Sequence, residues 1–420
     1  MLSRTVLRRS MLAVAAAAIG GVVMPAFASP PSKQPAAQRM KTDVSFKPLS
    51  FSQVPGWEED DHAAALKTFL KSCDRVLAAT RERTSLDKLP PPPAGLAAAC
   101  TAASRLPGPM TKAAAKAFFE QYFTPNTLSH KGPSGLLTGY YEPVMKGSRT
   151  PQGEFQTPIH KRPSDLVTLV DETARATVGN SLTHGRKTEK GVEPFATRAV
   201  IEQGALKGQQ LELVYFADPV DVFFLHIQGS GRVKLTDGTS IRVHYDGKNG
   251  HPYSSIGRYL IEKGLLAADK VSMGALKNWL RADPERGKQV MWQNASYVFF
   301  RELKGPDAKG PMGAMQVQLT PGRSLAVDPS HHTLGLPIFV NAEGMGHVGK
   351  STGLRRLMVA QDVGSAIKGP ERGDIYFGSG DAAGRLAGVT KHPTKFTVLV
   401  PNDMPARAEA APSSPEKARQ

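Results

Sequence analysis

LMVAQDVGSAIKGPERGDIYFGSG, residues 357–380, sets two aspartates, Asp362 and Asp374, among glycine and apolar residues rather than in a charged surface run. A third, Asp328, has the same setting in SLAVDPS (324–330). Apolar runs bearing a single Asp predict strands that carry a carboxylate to the mouth of a core, where loss of solvation raises its pKa. Carboxylates gathered this way suit acid/base chemistry, so this region is read as the place of reaction.

Outward from it, the sequence after Gly132 predicts short strands and turns. Strands are expected at Leu136–Tyr141, Leu211–Phe216, Val222–Gln228, Ile241–Tyr245, Tyr297–Arg301, Ala314–Leu319, Leu357–Gln361, Ile375–Phe377 and Phe396–Val400. Asp237-Gly238 between two of them is a hairpin signal. Before Gly132 the pattern is helical. Leu66, Phe69, Leu70, Cys73 and Leu77 recur at helical spacing behind an Asp60-Asp61 cap, LPPPPAG (89–95) breaks the run, and a second helix fits 112–123. Short helices also fit 255–263 and 273–281. Many short strands with few long helices favour barrels over a doubly wound sheet. Residues 29–45 and 403–420, poor in apolar residues, read as a disordered lead-in and tail.

The first residues, MLSRTVLRRS followed by MLAVAAAAIGGVVMPAFA, end in Ala26-Phe27-Ala28 before a polar Ser29. A basic start, a short apolar stretch and a small-residue site predict a signal peptide over 1–28. Arg8-Arg9 leaves general and twin-arginine export both open. No Cys stands at the cleavage site to take a lipid, and no other segment has the length and apolarity of a membrane span. A soluble exported protein is expected. The formal charge is +16, of which Arg4, Arg8 and Arg9 of the signal carry three. That balance suits an anionic polymer or simply a basic surface. Export argues against nucleic acid, and no stretch interleaves Lys/Arg with aromatics as a single-strand binder needs. Cys73 and Cys100 are the only cysteines, open to one disulfide or to two buried thiols, and too few for a zinc cluster.

Several motifs fail on their own terms. AQDVGS (360–365) is like one loop of an aspartic protease, but a second copy is missing and Val363 takes the hydroxyl position. GSGDAA (378–383) fits a dinucleotide-loop pattern but lies too near the C-terminus for the βαβ unit to follow. Eleven histidines include no H-E-x-x-H or comparable spacing, although His226, His244 and His251 could meet in space. No metal is predicted. The G-x-S-x-G elbow of serine hydrolases is absent too.

Two segments suit a neutral, hydroxyl-rich ligand. In LLTGYYEPV (136–144), Thr138, Tyr140 and Glu142 share one strand face and Tyr141 takes the other. FFLHIQGSGRVKL (223–235) reads as an apolar strand ending in Gln228-Gly229-Ser230-Gly231, and Asn249 and Tyr253 follow in YDGKNGHPYSSIGRYL (245–260). Uncharged polar groups beside aromatic faces match sugar rings. An edge strand in the first case and plain turn chemistry in the second are the alternatives.

In order along the chain, TGYYEP (138–143), DPVDVFFLHIQGSGR (218–232), YDGKNGHPYSSIGRYLIEKG (245–264), NASYVFFRE (294–302), LTPGRSLAVDPS (319–330) and RLMVAQDVGSAIKGPERGDIYFGSGDAAG (356–384) resemble the membrane-bound lytic murein transglycosylase A family. The last resembles its three-aspartate domain. The resemblance implies a mainly β protein, with a double-psi β-barrel domain built from 46–155 and 290–402 (three-aspartate region 315–392). A second β-barrel domain is inserted at 156–289, and N-terminal helices complete the fold. It implies cleavage of the MurNAc–GlcNAc β-1,4 bond of peptidoglycan without water, leaving 1,6-anhydro-MurNAc. Asp374 is then the acid and base, Asp362 and Asp328 its orienting or electrostatic partners, and Thr138, Tyr140, Gln228, Ser230 and Tyr253 the saccharide contacts. No cofactor is implied. Peptidoglycan glycan strands are the expected partner, with cell-wall machinery proteins beside them, and the periplasm the expected location, with outer-membrane or wall association left open. A non-catalytic peptidoglycan-binding barrel is the alternative.

Overall fold

The computed structural model describes residues 44–402 apart from 83–91, 109, 170–177, 180–181 and 349–352. The expected signal peptide, nearly all of the lead-in and the tail lie outside the described residues. Before residue 150 the chain forms β1 (Ser45–Pro48), β2 (Phe123–Ser129), β3 (Leu136–Glu142) and β4 (Val144–Gly147). Its middle forms β5 (Thr157–His160), β6 (Leu166–Thr168), β7 (His184–Thr188), β8 (Gly191–Glu193), β9 (Glu212–Phe216), β10 (Ser230–Leu235), β11 (Ser240–Lys248) and β12 (Val298–Leu303). The last part adds β13 (Ser324–Val327), β14 (Pro337–Ala342), β15 (Leu354–Val363), β16 (Arg372–Ser379), β17 (Lys391–Pro393) and β18 (Lys395–Pro401).

A nine-stranded sheet runs β1-β2-β18-β14-β15-β13-β16-β3-β17, and its described pairings do not close on themselves. β3 therefore lies inside the sheet, next to its β17 edge. Strands from the middle of the chain stay out of it. With β4 they form a four-stranded sheet β12-β11-β10-β4, and by themselves a pair β5-β9 and a small sheet β6-β7-β8. Asp237-Gly238 does turn β10 into β11: Thr239 N–H donates to the Asp237 carboxylate at 2.8 Å, and Gly238 has φ +85°.

Helices α1 (His62–Glu82), α2 (Ala94–Ser104) and α3 (Lys112–Tyr122) share one apolar core with the nine-stranded sheet. Phe69, Phe118, Phe119 and Phe123 meet there with ring centroids 5.4–6.4 Å apart. Only Asp61 of the expected cap pair acts as one, accepting from Ala64 N–H at 3.2 Å. Asp60 instead takes the Arg323 guanidinium at 2.8 and 3.0 Å and Leu357 N–H at 2.8 Å, tying the approach to α1 onto β13 and β15. Helix α2 went unread because a proline run precedes it. Its alanine-rich sequence has high intrinsic helicity once the prolines end.

Two strand expectations are wrong. Residues 222–228 belong to helix α4 (Pro219–Gln228). A continuous apolar run, here buried from Val222 through His226, cannot be assigned by period, and the end signals decide. Asp218 caps Val220 N–H at 2.7 Å, Pro219 opens the helix, and Gly229 closes it at φ +75°. Residues 314–319 form a turn, with Gln316 at φ +56°. Their backbone crosses the end of β15, Met315 N–H donating to Gln361 C=O at 3.1 Å, in place of pairing along a strand. Further on come α5 (Ile256–Glu262), α6 (Met273–Arg281), α7 (Pro284–Met291) and α8 (Asp381–Val389).

Cys73 on α1 and Cys100 on α2 are joined as a disulfide with Cα atoms 5.0 Å apart, which decides the question left open above. The bridge closes a 27-residue separation, for which chain entropy contributes about 3.5 kcal/mol. Paired Cys73→Ala/Cys100→Ala substitution is expected to lower unfolding free energy by roughly 2–4 kcal/mol in urea titrations, with the far-ultraviolet spectrum of the folded protein retained.

Candidate active site

Ala326, at the centre of β13, has Asp362 of β15 as its register partner on one side and Asp374 of β16 on the other. Opposite Asp374 across the next, parallel pairing stands Thr138 of β3, and opposite Tyr376 stands Tyr140. The expected Thr138–Tyr140–Glu142 face thus lies against the aspartate strand. Two register shifts shape this surface. One, in β15, passes over Gln361, so that Asp362 faces the site while Gln361 turns inward. Its amide donates to Thr68 C=O at 3.0 Å and Ser72 Oγ at 2.8 Å on α1. The other, in β16 after Tyr376, brings Ser379 opposite Glu142. An extra strand residue re-aims the side chains that follow it.

Thr138 Oγ1 donates to Asp374 Oδ1 at 2.7 Å, and Arg372 Nη2 donates to Thr138 Oγ1 at 2.9 Å. Burial pushes the Asp374 carboxyl up to about 6, against the opposing pull of the Thr138 hydrogen bond and the Arg372 charge, with a small further rise from Asp362. The group stays half-buried, so protein walls desolvate it while one side remains open. Asp362 is also raised by burial. It accepts from Tyr140 Oη at 2.8 Å and from Ala314 and Val363 N–H, each at 2.9 Å. Burial and the neighbouring Asp362 hold the Tyr140 phenol well above its usual range, so it remains a donor. A carboxyl poised near neutrality beside a second carboxylate locked as an acceptor is an arrangement able to give and take one proton.

Glu142 completes the face in a different way. Fully buried, it receives Arg242 of β11 through two nitrogens at 2.7 and 3.2 Å, and it also accepts from Ser379 Oγ. Tyr376, its phenol raised by burial to about 12, sits 3.3 Å from Ser379 Oγ and packs on Tyr140 with ring centroids 5.4 Å apart.

Of the sequence-predicted residues, Asp374 with Thr138 and Asp362 with Tyr140 form two hydrogen-bonded pairs, coupled through the charge of their carboxyls. Asp328 is elsewhere. At the end of β13 it accepts from Gly369 N–H at 2.9 Å and from Ser330 N–H and Oγ at 3.1 and 2.8 Å. Burial alone would raise its carboxyl, but these hydrogen bonds and Lys368 together hold it below the usual range. It is a stable carboxylate bracing the 364–369 turn. Gln228, on the last turn of α4, accepts Tyr141 N–H at 3.0 Å and so joins the middle of the chain to β3. Ser230 is half-buried in β10. Tyr253 precedes α5, its phenol raised by burial and hydrogen-bonded to Ser255, and no hydrogen bond among the described residues links it to the carboxylates. His226, His244 and His251 do not converge: His226 packs on Tyr297 and Phe300, His244 pairs with Ser230 in the β10–β11 ladder, and His251 contacts Phe195 C=O. Among the described residues, no three of His, Cys, Asp and Glu are grouped as a metal site.

Sequence reasoning missed Arg372, Arg242 and Ser379. Arg372 stands two residues before Asp374 and could have been weighed. The Glu142–Arg242 pairing, 100 residues apart, leaves no local signal.

Comparison with known proteins matches the MltA specific insert domain at residues 136–301 and the 3D domain at 323–400. The membrane-bound lytic murein transglycosylase A of Vibrio cholerae is 34% identical over 286 residues, covering 67% of this chain and 69% of its own. A membrane-bound lytic murein transglycosylase from Agrobacterium tumefaciens, solved by crystallography, superposes with a TM-score of 0.76 at 36% identity, over 85% of this chain and 98% of that one. Escherichia coli MltA, solved with bound chitohexaose, superposes with a TM-score of 0.57 at 26% identity, over 85% and 91%.

The raised Asp374 carboxyl has a stability consequence. Below pH ~4 it is protonated folded or unfolded; as pH rises, the unfolded chain ionises first, so the folded state loses stability until pH passes about 6. The shift is worth roughly 3 kcal/mol, reduced to about 2 kcal/mol by the solvent still reaching the group. Asp374→Asn is therefore expected to stabilise the protein by about 2 kcal/mol at pH 7.5 and by little at pH 4, read from denaturant midpoints.

Proposed function

The chain belongs to the membrane-bound lytic murein transglycosylase A family, and we propose that it cleaves the MurNAc–GlcNAc β-1,4 bond of peptidoglycan without water, leaving 1,6-anhydro-MurNAc ends. The observation that carries this reading is the Asp374 carboxyl, pushed up to about 6 by burial and hydrogen-bonded by Thr138. Protonated, it donates to the glycosidic oxygen. As a carboxylate, it then takes the proton from the muramyl C6 hydroxyl as that oxygen attacks C1. Most glycosidases use a second carboxylate as nucleophile or to activate water, and an internal hydroxyl nucleophile removes that need. Thr138 and the Arg372 behind it favour the ionised form, which eases the first proton's departure. Asp362, anchored by Tyr140 and two backbone N–H groups, contributes negative potential where positive charge develops at C1.

In the same reading, the nine-stranded sheet corresponds to a double-psi barrel made from 46–155 and 290–402. The middle of the chain, 156–289, is an inserted second barrel, with the glycan lying between them. Tyr140, Gln228, Ser230 and Tyr253 are placed on the saccharide side, and Asp328 acts at a distance by bracing the turn between the two aspartate strands. The bound chitohexaose of the Escherichia coli relative supports a β-1,4 glycan as ligand. The basic, apolar and small-residue run at 1–28 supports export to the periplasm. No helix among the described residues is long and apolar enough to cross a membrane.

Purified protein incubated with murein is expected to release anhydro-muropeptides, read by mass spectrometry. Reducing-end MurNAc would select a hydrolase, and binding without release would select a non-catalytic wall-binding protein. Asp374→Asn should lower turnover by about 10²–10⁴-fold. Thr138→Val removes a hydrogen bond that favours the carboxylate, so the alkaline limb of the pH–rate profile should move to higher pH while the rate falls.

A further inference from the structure

Away from the carboxylates, β5, β9, the start of α4 and helices α6 and α7 enclose a cavity of about 900 Å³, open to solvent. Its apolar wall includes Val220, Val222, Leu280 and Met291. Most of its charged groups are already engaged. Arg281 donates to Asp218 and Asp221 at 2.7 and 2.8 Å, and Glu202 receives Arg198 at 2.9 Å and Trp292 Nε1 at 2.7 Å. Glu212 and Lys207, also in the lining, form no ion pair among the described residues. Glu285 and Lys288 meet each other at 4.0 Å on the exposed side of the lining, which leaves Glu212 and Lys207 as the carboxylate and ammonium without an ion-pair partner among the described residues, over an apolar floor. His160, its imidazole lowered to about 4 by burial and its Nδ1 2.7 Å from Tyr297 Oη, adds a neutral polar group at the lining.

A neutral sugar would leave both charges unmatched, and an anionic headgroup would meet Glu212. The complementary ligand carries an ammonium and a carboxylate on a backbone with small apolar side chains: a short amphoteric peptide. Position points the same way. Helix α4 starts at the cavity, with Pro219, Val220 and Val222 in its lining, and ends at Gln228, bonded to Tyr141 beside the carboxylate network. Its ten residues span ~15 Å at the rise of an α-helix. An extended peptide of four or five residues covers roughly 13–18 Å. Helix α6 makes the same crossing, from Met273 packed near Tyr141 to Leu280 and Arg281 at the cavity.

We propose that this cavity is a second ligand site, which takes the peptide stem of a muramyl residue whose glycan lies in the groove. The proposal rests on the peptidoglycan reading above. Alanine methyls would lie on the apolar wall, the stem carboxylates at Lys207 and the diamino-acid ammonium at Glu212.

The test uses the exported protein and two charge reversals, Glu212→Lys and Lys207→Glu. Lys207 is exposed and Glu212 half-buried, so both substitutions spare the core. Calorimetric titration with the free tetrapeptide L-Ala-γ-D-Glu-diaminopimelyl-D-Ala is expected to saturate with wild type and to weaken about tenfold or more in each variant, the loss of one charge-assisted contact. With peptide-bearing murein, KM should rise about fivefold or more in each variant. With amidase-stripped glycan strands, both variants should stay within about twofold of wild type. Absence of saturable tetrapeptide binding to wild type overturns the proposal, as does an equal loss on both substrates. If wild type releases no anhydro product from either substrate, the functional reading fails instead, and the tetrapeptide titration still decides the cavity.

Discussion

Strands β3 and β16 pair in parallel although 236 residues separate Thr138 from Asp374, and the rest of the molecule follows from that pairing. A parallel neighbour cannot be reached by a tight turn, so the chain between them must leave the sheet and return. It uses the excursion to build the β12-β11-β10-β4 sheet and the helices around it. When it comes back, β13 slots between β15 and β16 and sets Ala326 between the two aspartates. The Asp374–Thr138 pair is therefore made from two distant stretches: the carboxyl's strand comes from the C-terminal part, its hydroxyl donor from before the excursion.

Such a join needs fastening, and the fastenings are polar. Glu142, Arg242 and Ser379 come from three separate stretches and meet where Glu142 has no access to water. Removing one partner of a buried ion pair leaves the other charge stranded at a cost of several kcal/mol, whereas the complete pair adds little to net stability. What it secures is geometry: the point on β11 that carries Arg242 is pinned to the end of β3. Asp60 with Arg323 does the same for the N-terminal helices, and Gln361 for α1 against β15. The desolvated Asp374 works against this. It is kept where ionisation is unfavourable, and the surrounding network outweighs that penalty. The proposed acid and base role rests on this compromise, a carboxyl held near neutrality by burial.

Much of this could be read beforehand. Strand positions around Thr138, Ile241, Leu357, Ile375 and Phe396, the hairpin at Asp237-Gly238 and the helices at 62–82, 112–122, 256–262 and 273–281 rest on local periodicity and turn chemistry. Local signals also misled where they were incomplete. The apolar run 222–228 read as a strand because buried helices and buried strands look alike, and the deciding signals, Asp218-Pro219 and Gly229, lay at its ends.

Readable from the chain alone were the apolar strand contexts of three aspartates, the shared face of Thr138, Tyr140 and Glu142, and the placing of both cysteines in the helical region before Gly132. Those properties depend on neighbours a few residues apart, where backbone period and chain connectivity allow no choice. Which aspartates meet was settled by long-range strand pairing. Asp374 and Asp362 flank Ala326, while Asp328, with the same local signature, turns away to brace a loop. Only the fold, too, joined Arg242 to Glu142 and set a charged cavity one helix length from Tyr141 of β3. These are contacts between residues far apart in sequence, fixed by strand register, and a one-residue slip such as the bulge at Gln361 exchanges one facing side chain for another. No local pattern records that choice.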